Sequence, residues 1–491
     1  MSGFAAKLDD WSDRLSPMVV KEVRQMVRGR EFSYSFGLSL VAGLIVAFVG
    51  LATTGPTTVS AGRPIFTALM VCLLMLGLVV VPLGAFNALR TERSDHTLDL
   101  VTQTSLTPRR IVLGKLLTQG VKLVTLFAGL SPFVAMSFLL GGVDLLTILV
   151  GLALLFLWSM WVSAVCLFVS ASATSRAVSG ILFAVMTVGF FALAGRFSYV
   201  WGPLLGVGPG FFPSAGISMK WTIAGTSAFC LISMANFILL AENRLSHPVE
   251  DRSTALRIGF FVQFLFILTL AVVPVLVGSA GFSTSDACVT MGIFGGLQLA
   301  LVSIFSTTED MVLSRRVIRN IKTSLNRPWF AVFRPGGGRA TAWILLQMAL
   351  LLGIGGILAT FGSSDFLWLL GICSYICFFS GVPAFLGRYV LKTRLKTAHL
   401  RVGTLVFIPL VILSADFLQY WLKSTNVISR DYAPYHVLNP FRTLANWAAV
   451  TSVGWDLRVY VMGLIGLTCY VFLIRIGQHE TKHASVLHTS N

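Results

Sequence analysis

Charged residues are scarce in this sequence. Asp, Glu, Lys and Arg together make up 12% of the 491 residues, whereas a typical soluble domain carries about 25%. Hydrophobic residues make up 55%, which excludes a water-soluble enzyme. The same figure excludes an intrinsically disordered chain, because disorder needs low hydrophobicity and high charge. The composition is typical of a membrane protein.

Acidic residues are scarcer still. The 20 Asp and Glu face 37 Lys and Arg, for a formal net charge of +17. Most basic residues fall in alternate connections between the apolar runs, which predicts that these connections and both termini are cytoplasmic. Such loops lie against an anionic inner leaflet, so we expect membrane lipids as partners and a multi-pass location in the cell inner membrane. The sequence shows no basic face with base-stacking aromatics, so a nucleic acid is not expected as a partner.

Two catalytic signatures are missing. Gly114-Lys115 lacks the upstream glycine of a phosphate-binding loop and is followed by Leu, so ATP has no such site here. The Gly-x-Ser-x-Gly pattern of serine hydrolases is also absent. We therefore expect that the chain is not an enzyme and holds no cofactor of its own.

No metal site is predicted either. Glu92, His96 and Asp99 could share a helix face, but solvated loop charges explain them better. The histidines near the end of the sequence are expected to belong to a frayed terminus. Cys373 and Cys377 also share a helix face, and we interpret them as packing residues in an apolar run.

Apolar runs of the length needed to cross a membrane are abundant. Twelve are recognisable, and each is close to the ~20 residues of a spanning helix. The fold class is therefore predicted to be all-α and polytopic. We predict five segments: an amphipathic cytoplasmic helix in 1–35, a membrane half in 36–241 with a coupling helix near 94–106, a cytoplasmic linker in 242–257, a second membrane half in 258–477, and a cytoplasmic tail in 478–491.

The two halves resemble each other. Shifting the sequence by 221 residues (257 − 36) places Phe36 on Arg257 and superposes the apolar runs. Six spans is an even number, so both halves are predicted to share one orientation, as in transporters built from parallel repeats. The chain would then act as a pseudo-dimer, and a homodimer of the whole chain is the alternative.

The stretch before the first span has helical periodicity. Several valines recur on one face, while Lys21, Arg24 and Arg28 occupy another, with Glu22 between them. This pattern predicts an amphipathic helix in the inner membrane interface. A simple anchor and a role in coupling explain it equally well.

A second cytoplasmic segment follows the second span. Ser94 or Asp95 can cap a short helix that carries Leu98 on one side. Thr107-Pro108 then predicts the start of a further helix, because Pro is favoured at the first helical position. A short exposed helix with a small apolar face suits docking into a partner's groove.

The order of these segments resembles the permease subunits of type-2 ABC exporters. The interfacial "elbow" helix of that family is similar to Pro17-Met18-Val19-Val20-Lys21-Glu22-Val23-Arg24-Gln25. Its coupling region is similar to Glu92, then His96-Thr97-Leu98-Asp99-Leu100, then Thr107-Pro108 and Leu113-Gly114-Lys115. The resemblance covers Pro17 to about Leu240. It covers the second half by topology only.

The resemblance implies a function. Thr97, Leu98, Asp99 and Leu100 would contact a separate cytoplasmic ABC ATPase, with Glu92 and Lys115 supporting that fold. ATP would be bound and hydrolysed by the partner, and the permease would export a substrate. In the second half, Thr307-Thr308-Glu309-Asp310 occupies the coupling position without the Thr-Leu-Asp-Leu pattern. Whether that half engages an ATPase is left open.

Two other functions fit the same composition. An ion-coupled secondary transporter with twelve spans would use a buried carboxylate, and Asp416 lies inside an apolar run. Its position near the outer end of that run also fits simple solvation at the interface. A membrane scaffold without transport activity is the third possibility.

Overall fold

The computed structural model is helical, and no strand occurs among the residues it describes. These residues are 17–53, 62–94, 107–141, 143–173, 179–189, 217–246, 251, 253–278, 283–309, 328–361, 365–390, 397–424, 437–445, 447 and 456–487. The chain divides into two compact units, Met1–His247 and Pro248–Asn491. Each unit has its own hydrophobic core.

The first unit contains seven helices among its described residues. Its second long helix, α3, is made of Gly62–Met75, a π-helical turn at Leu76–Val80, and Val81–Ser94. The others are α1 (Pro17–Arg28), α2 (Arg30–Thr53), α4 (Pro108–Leu139), α5 (Leu145–Ser172), α6 (Ser179–Gly189) and α7 (Ile217–Leu245).

The second unit is built in the same style. Its helix α9 also has a π-helical turn, at Met291–Gly295, between Thr284–Thr290 and Gly296–Thr307. The others are α8 (Thr254–Leu276), a 3₁₀ turn (Pro328–Phe333), α10 (Gly337–Thr360), α11 (Phe366–Phe385, continued by a π-helical turn at Leu386–Val390), α12 (Thr397–Ser424), α13 (Pro440–Ala445) and α14 (Asp456–Leu487).

Ten helices in the described part of the chain are long and apolar enough to cross a membrane. The prediction of an all-α, polytopic protein is confirmed at this level. Two shorter apolar stretches, Ser179–Gly189 and the part Leu400–Ser414 of α12, are also found among the described residues, and they lie where the fifth span of each half is predicted. Twelve crossings and two parallel repeats stay predictions.

Apolar side chains cover much of the outer surface. In α2, Leu38, Leu44 and Phe48 are 66%, 61% and 72% exposed. Soluble proteins rarely expose contiguous apolar patches larger than a few hundred Å², so lipid tails are the natural solvent for this face. The polar groups of the backbone are paired within the helices, as a hydrocarbon environment requires.

The π-helical turn in α3 has a local cause. Val81 N–H donates to the carbonyl of Leu76, five residues earlier. The next residue is Pro82, which has no N–H and would clash with the carbonyl four residues before it. The carbonyl of Gly77, five residues before Pro82, instead accepts a hydrogen bond from Ser159 Oγ of α5 at 2.6 Å. The widened turn therefore joins α3 to α5.

Two boundaries differ from the sequence-based expectation. The first spanning helix begins at Arg30, because Gly29 interrupts the helix that precedes it. At the other end, the backbone of α14 is helical through Leu487. The helix therefore extends beyond the predicted end of the last span at Ile476, in keeping with the lack of Gly and Pro after Gly477, and a frayed terminus stays a prediction.

Candidate functional site

The N-terminal helix α1 lies with one face against the first unit and another towards solvent. Val19 is buried, whereas Lys21, Arg24 and Arg28 are exposed. Glu22 lies between these faces and its side chain is only 14% exposed. The three exposed cations are well placed to meet anionic headgroups, and Glu22 points inward to a different partner.

That partner is Lys115 in α4. Its side chain is 1% exposed, and Nζ lies 3.0 Å from Glu22 Oε1 and 2.8 Å from Glu92 Oε1. A third contact joins Nζ to the carbonyl of Ala88 at 3.4 Å. An ammonium has three N–H donors, so these three acceptors satisfy it. We call Glu22, Glu92 and Lys115 the charged node.

The charged node connects three separate helices. Glu22 belongs to α1, Glu92 is near the end of α3, and Lys115 is in the second turn of α4. Removing one partner of a buried ion pair costs about 3–5 kcal/mol, because the other charge is left without compensation. Movement of any one of these helices would therefore pull on the other two.

Lys115 is positioned by the start of α4. The helix begins at Pro108, as the Thr107-Pro108 pair predicts, and it continues without interruption to Leu139. Thr107 has the extended backbone of a capping residue, but its side chain makes no capping hydrogen bond. The conformational restriction of Pro108 therefore contributes more to this start than the hydroxyl does.

The predicted ATPase contact lies between two parts of the charged node. Thr97, Leu98, Asp99 and Leu100, with the rest of 95–106, lie outside the described residues. The chain leaves the described part at Ser94, two residues after Glu92, and re-enters it at Thr107. Lys115 is thus connected to both sides of the predicted coupling segment: it pairs with Glu92 before the segment, and it belongs to the helix that starts after it.

The second unit also has an ion pair next to the end of its second long helix. Arg257, near the start of α8, pairs with Glu309, which follows the end of α9. Their side chains are 4% and 21% exposed. Ser253 Oγ also donates to the Glu309 carboxylate, and Arg388 donates to the Glu309 carbonyl. The chain then leaves the described part, which resumes at 328.

Arg257 also holds the segment that leads into α10. Its guanidinium donates to the carbonyl oxygens of Val332 and Gly336 at 3.2 Å each, and to that of Arg334. Gly336 has φ +125°, a backbone conformation that favours glycine. In the first unit the cation lies on the third long helix. In the second unit it lies on the first long helix and reaches backbone carbonyls of the segment that precedes the third.

Other predicted residues have side chains outside the described part of the chain. Asp416 lies in α12, but its side chain is outside the described part of the chain. His479 and His483 lie one turn apart on α14 with Glu480 between them, a spacing that binds zinc in metalloproteases. Their side chains are likewise undescribed, so the expected absence of a metal stays a prediction there. Within the described residues, no group of three His, Cys, Asp or Glu could hold a metal.

The sequence predicted functional roles for Glu22, Glu92 and Lys115, but it did not predict the ion pair between Glu22 and Lys115. It also missed the role of Arg257, for which the only sequence signal is a basic residue at the start of an apolar run. Comparison with known protein families, curated sequences and solved structures finds no match for this chain.

Proposed function

We propose that this chain is the membrane-spanning permease of an ABC transporter of the type-2 exporter class, driven by ATP hydrolysis in a separate subunit. One observation carries the proposal. Lys115 joins the N-terminal interfacial helix, the end of α3 and the start of α4, and the predicted coupling segment lies between Glu92 and Lys115. A partner that moved this segment would act directly on the charged node.

The charged node suggests how force would reach the membrane. Closure of the ATPase would displace the segment 95–106, and Glu92 and Lys115 would pass the displacement to α3 and α4. Glu22 would carry α1 along, so that the interfacial helix moves with the bundle. Rigid-body movement of packed helices is a common form of such transitions.

Two features support the proposed arrangement of twelve crossings in two parallel repeats. The helices α3 and α9 each contain a π-helical turn. Each also has an acidic residue at its C-terminal end, Glu92 within the last turn of α3 and Glu309 just after α9, and that residue pairs with a buried cation. We propose that Arg257 and Glu309 have the same role in the second unit as the charged node has in the first. The segment 310–327, which lacks the Thr-Leu-Asp-Leu pattern, would then lie at the cytoplasmic face.

The test is binding of an ATPase. Leu98→Asp with Leu100→Asp would put charge on the apolar face of the coupling segment, and co-purification with the partner ABC ATPase should be lost. Leu98→Ile with Leu100→Ile is the matched control and should bind normally, because it keeps the apolar face. Undiminished co-purification of the aspartate variant would remove the coupling assignment.

A second measurement separates this function from ion-coupled transport. The chain reconstituted alone in liposomes should move no solute under an ion gradient. Sustained transport that Asp416→Asn abolishes would replace the proposal with a secondary transporter.

A further inference from the structure

The core of the second unit contains a buried amide without a hydrogen-bond partner among the described residues. Gln347 in α10 is 0% exposed, and neither Nε2 nor Oε1 is paired there. One turn earlier on the same helix, the indole Nε1 of Trp343 is also buried and unpaired within the described chain. A buried polar group without a partner is costly in an apolar core.

A second amide lies at the same depth. Gly295 of α9 faces Leu351 and Phe264, whose side-chain atoms come within 3.5 Å of the place its Cβ would occupy. The start of α8 and the start of α10 meet the end of α9 at Arg257, so α9 runs antiparallel to both. One turn nearer that end, Gln298 of α9 is therefore level with Gln347 of α10.

Gln298 is only half satisfied. Its Nε2 donates to the carbonyl of Phe260 in α8 at 2.7 Å. Its Oε1 is buried and has no partner in the described part of the chain. The layer formed by Gln298, Gln347 and Trp343 thus presents acceptors from two amides and donors from an amide and an indole. We call it the glutamine layer.

Neighbouring polar groups in the same core are paired. Tyr470 Oη and Ser380 Oγ share a hydrogen bond at 2.5 Å. Ser303 Oγ donates to the carbonyl of Ala300, and Thr341 Oγ1 to that of Gly338. The fold therefore satisfies these polar side chains, whereas Gln298, Gln347 and Trp343 each keep an atom without a partner among the described residues.

We propose that the glutamine layer is a binding site for a neutral group that both donates and accepts hydrogen bonds, such as a hydroxyl or an amide. The layer has no charged side chain, and Phe264 and Leu351 lie one turn away. An ion would be poorly compensated there, whereas a hydroxyl attached to an apolar body would fit. The proposal rests on the proposed permease function and assigns it a substrate class: uncharged amphiphiles with hydroxyl or amide headgroups.

Because the glutamine layer is enclosed, a ligand can reach it only if neighbouring helices move apart. The π-helical turn Met291–Gly295 of α9 ends three residues before Gln298, and π-helical turns are frequent at functional sites. Gly292 and Gly296 let α9 pack closely on Trp368 and Ile372 of α11. Gln347 is buried in the structure, and adjustment of this turn would separate α9 from α10 and expose it.

The test uses a defined probe and the full chain in amphipol, without an ATPase. The thermal unfolding midpoint is measured with increasing octyl β-D-glucoside below its micellar concentration, since ligand binding to the folded state raises the midpoint. Octyl sulfate has the same chain length and a charged headgroup. The glucoside should raise the midpoint saturably, and the sulfate should not do so at the same concentrations.

Variants test whether a shift of the unfolding midpoint comes from binding at the glutamine layer. Gln347→Met should weaken the apparent glucoside affinity about tenfold, as expected for the loss of about 1.4 kcal/mol of hydrogen bonding, without lowering the midpoint of the unliganded protein. Thr341→Val lies on the same helix and should bind normally. If Gln347→Met does not fold, Gln298→Met serves as the second variant and should show the same loss.

Two outcomes would overturn the proposal: equal stabilisation by both probes, or a glucoside shift unchanged in Gln347→Met and Gln298→Met. Neither measurement involves the ATPase. Failure of this inference is therefore distinct from failure of the coupling assignment, which is read from co-purification.

Discussion

Lys115 and Glu22 form an ion pair across 93 residues of sequence, with Nζ 3.0 Å from Oε1. The lysine is almost completely buried and the glutamate is the one acidic residue of α1. The pair fixes α1 to α4, the helix that follows the predicted coupling segment. Its strength is therefore the first quantity to measure.

Lys115→Met should destabilise the first unit by about 3 kcal/mol, because Glu22 and Glu92 lose their shared cation. Arg110→Met changes an exposed cation on the same helix and should have an effect within about 0.5 kcal/mol. Unfolding in mixed micelles, followed by tryptophan fluorescence, checks both. A double-mutant cycle with Glu22→Gln should give a coupling energy of about 1–2 kcal/mol. A coupling energy near zero would contradict the role assigned to the pair.

Arg257→Leu should destabilise the second unit by about 3 kcal/mol, since the Glu309 carboxylate and three backbone carbonyls lose their donor. Arg257→Lys should recover only part of this, because an ammonium cannot match the planar, five-donor guanidinium. Limited proteolysis and thermal unfolding measure the loss. Full recovery by lysine would show that charge alone matters at this position.

Ser159→Ala should cost about 1–2 kcal/mol, because the carbonyl of Gly77 would lose its donor inside the membrane core. Ser163→Ala is a matched control one turn further along α5. Ser163 is fully buried and its hydroxyl has no partner among the described residues, so its removal should be neutral or stabilising. The difference between the two midpoints is the measurement, and equal midpoints would argue against the Ser159 contact.

Gly336→Ala should destabilise by about 1–3 kcal/mol, because its φ of +125° is strained for any residue with a Cβ. It should also displace the carbonyl that Arg257 binds. Gly353→Ala, an exposed site in α10 with nothing within 4 Å of the added Cβ, should stabilise the helix by about 0.5–1 kcal/mol. Changes of the same sign in the two variants would refute the backbone argument.

Much of the helical framework could be predicted from local pattern. Apolar runs of sufficient length predict the spanning helices because a hydrocarbon solvent leaves the backbone few alternatives. The start of α4 at Pro108 followed from proline chemistry, and Glu92 and Lys115 were named from their order along the chain.

Composition and the spacing of apolar and basic residues were enough to establish a helical, multi-pass chain with cationic loops, because both depend on neighbours within one or two turns. Only the tertiary structure showed that Lys115 pairs with Glu22 and that Arg257 binds the carbonyls before α10. The inference that Gln298 and Gln347 lie at one depth likewise depends on packing. Each depends on which faces of distant helices meet, and helical periodicity specifies the face of a helix without specifying its neighbour.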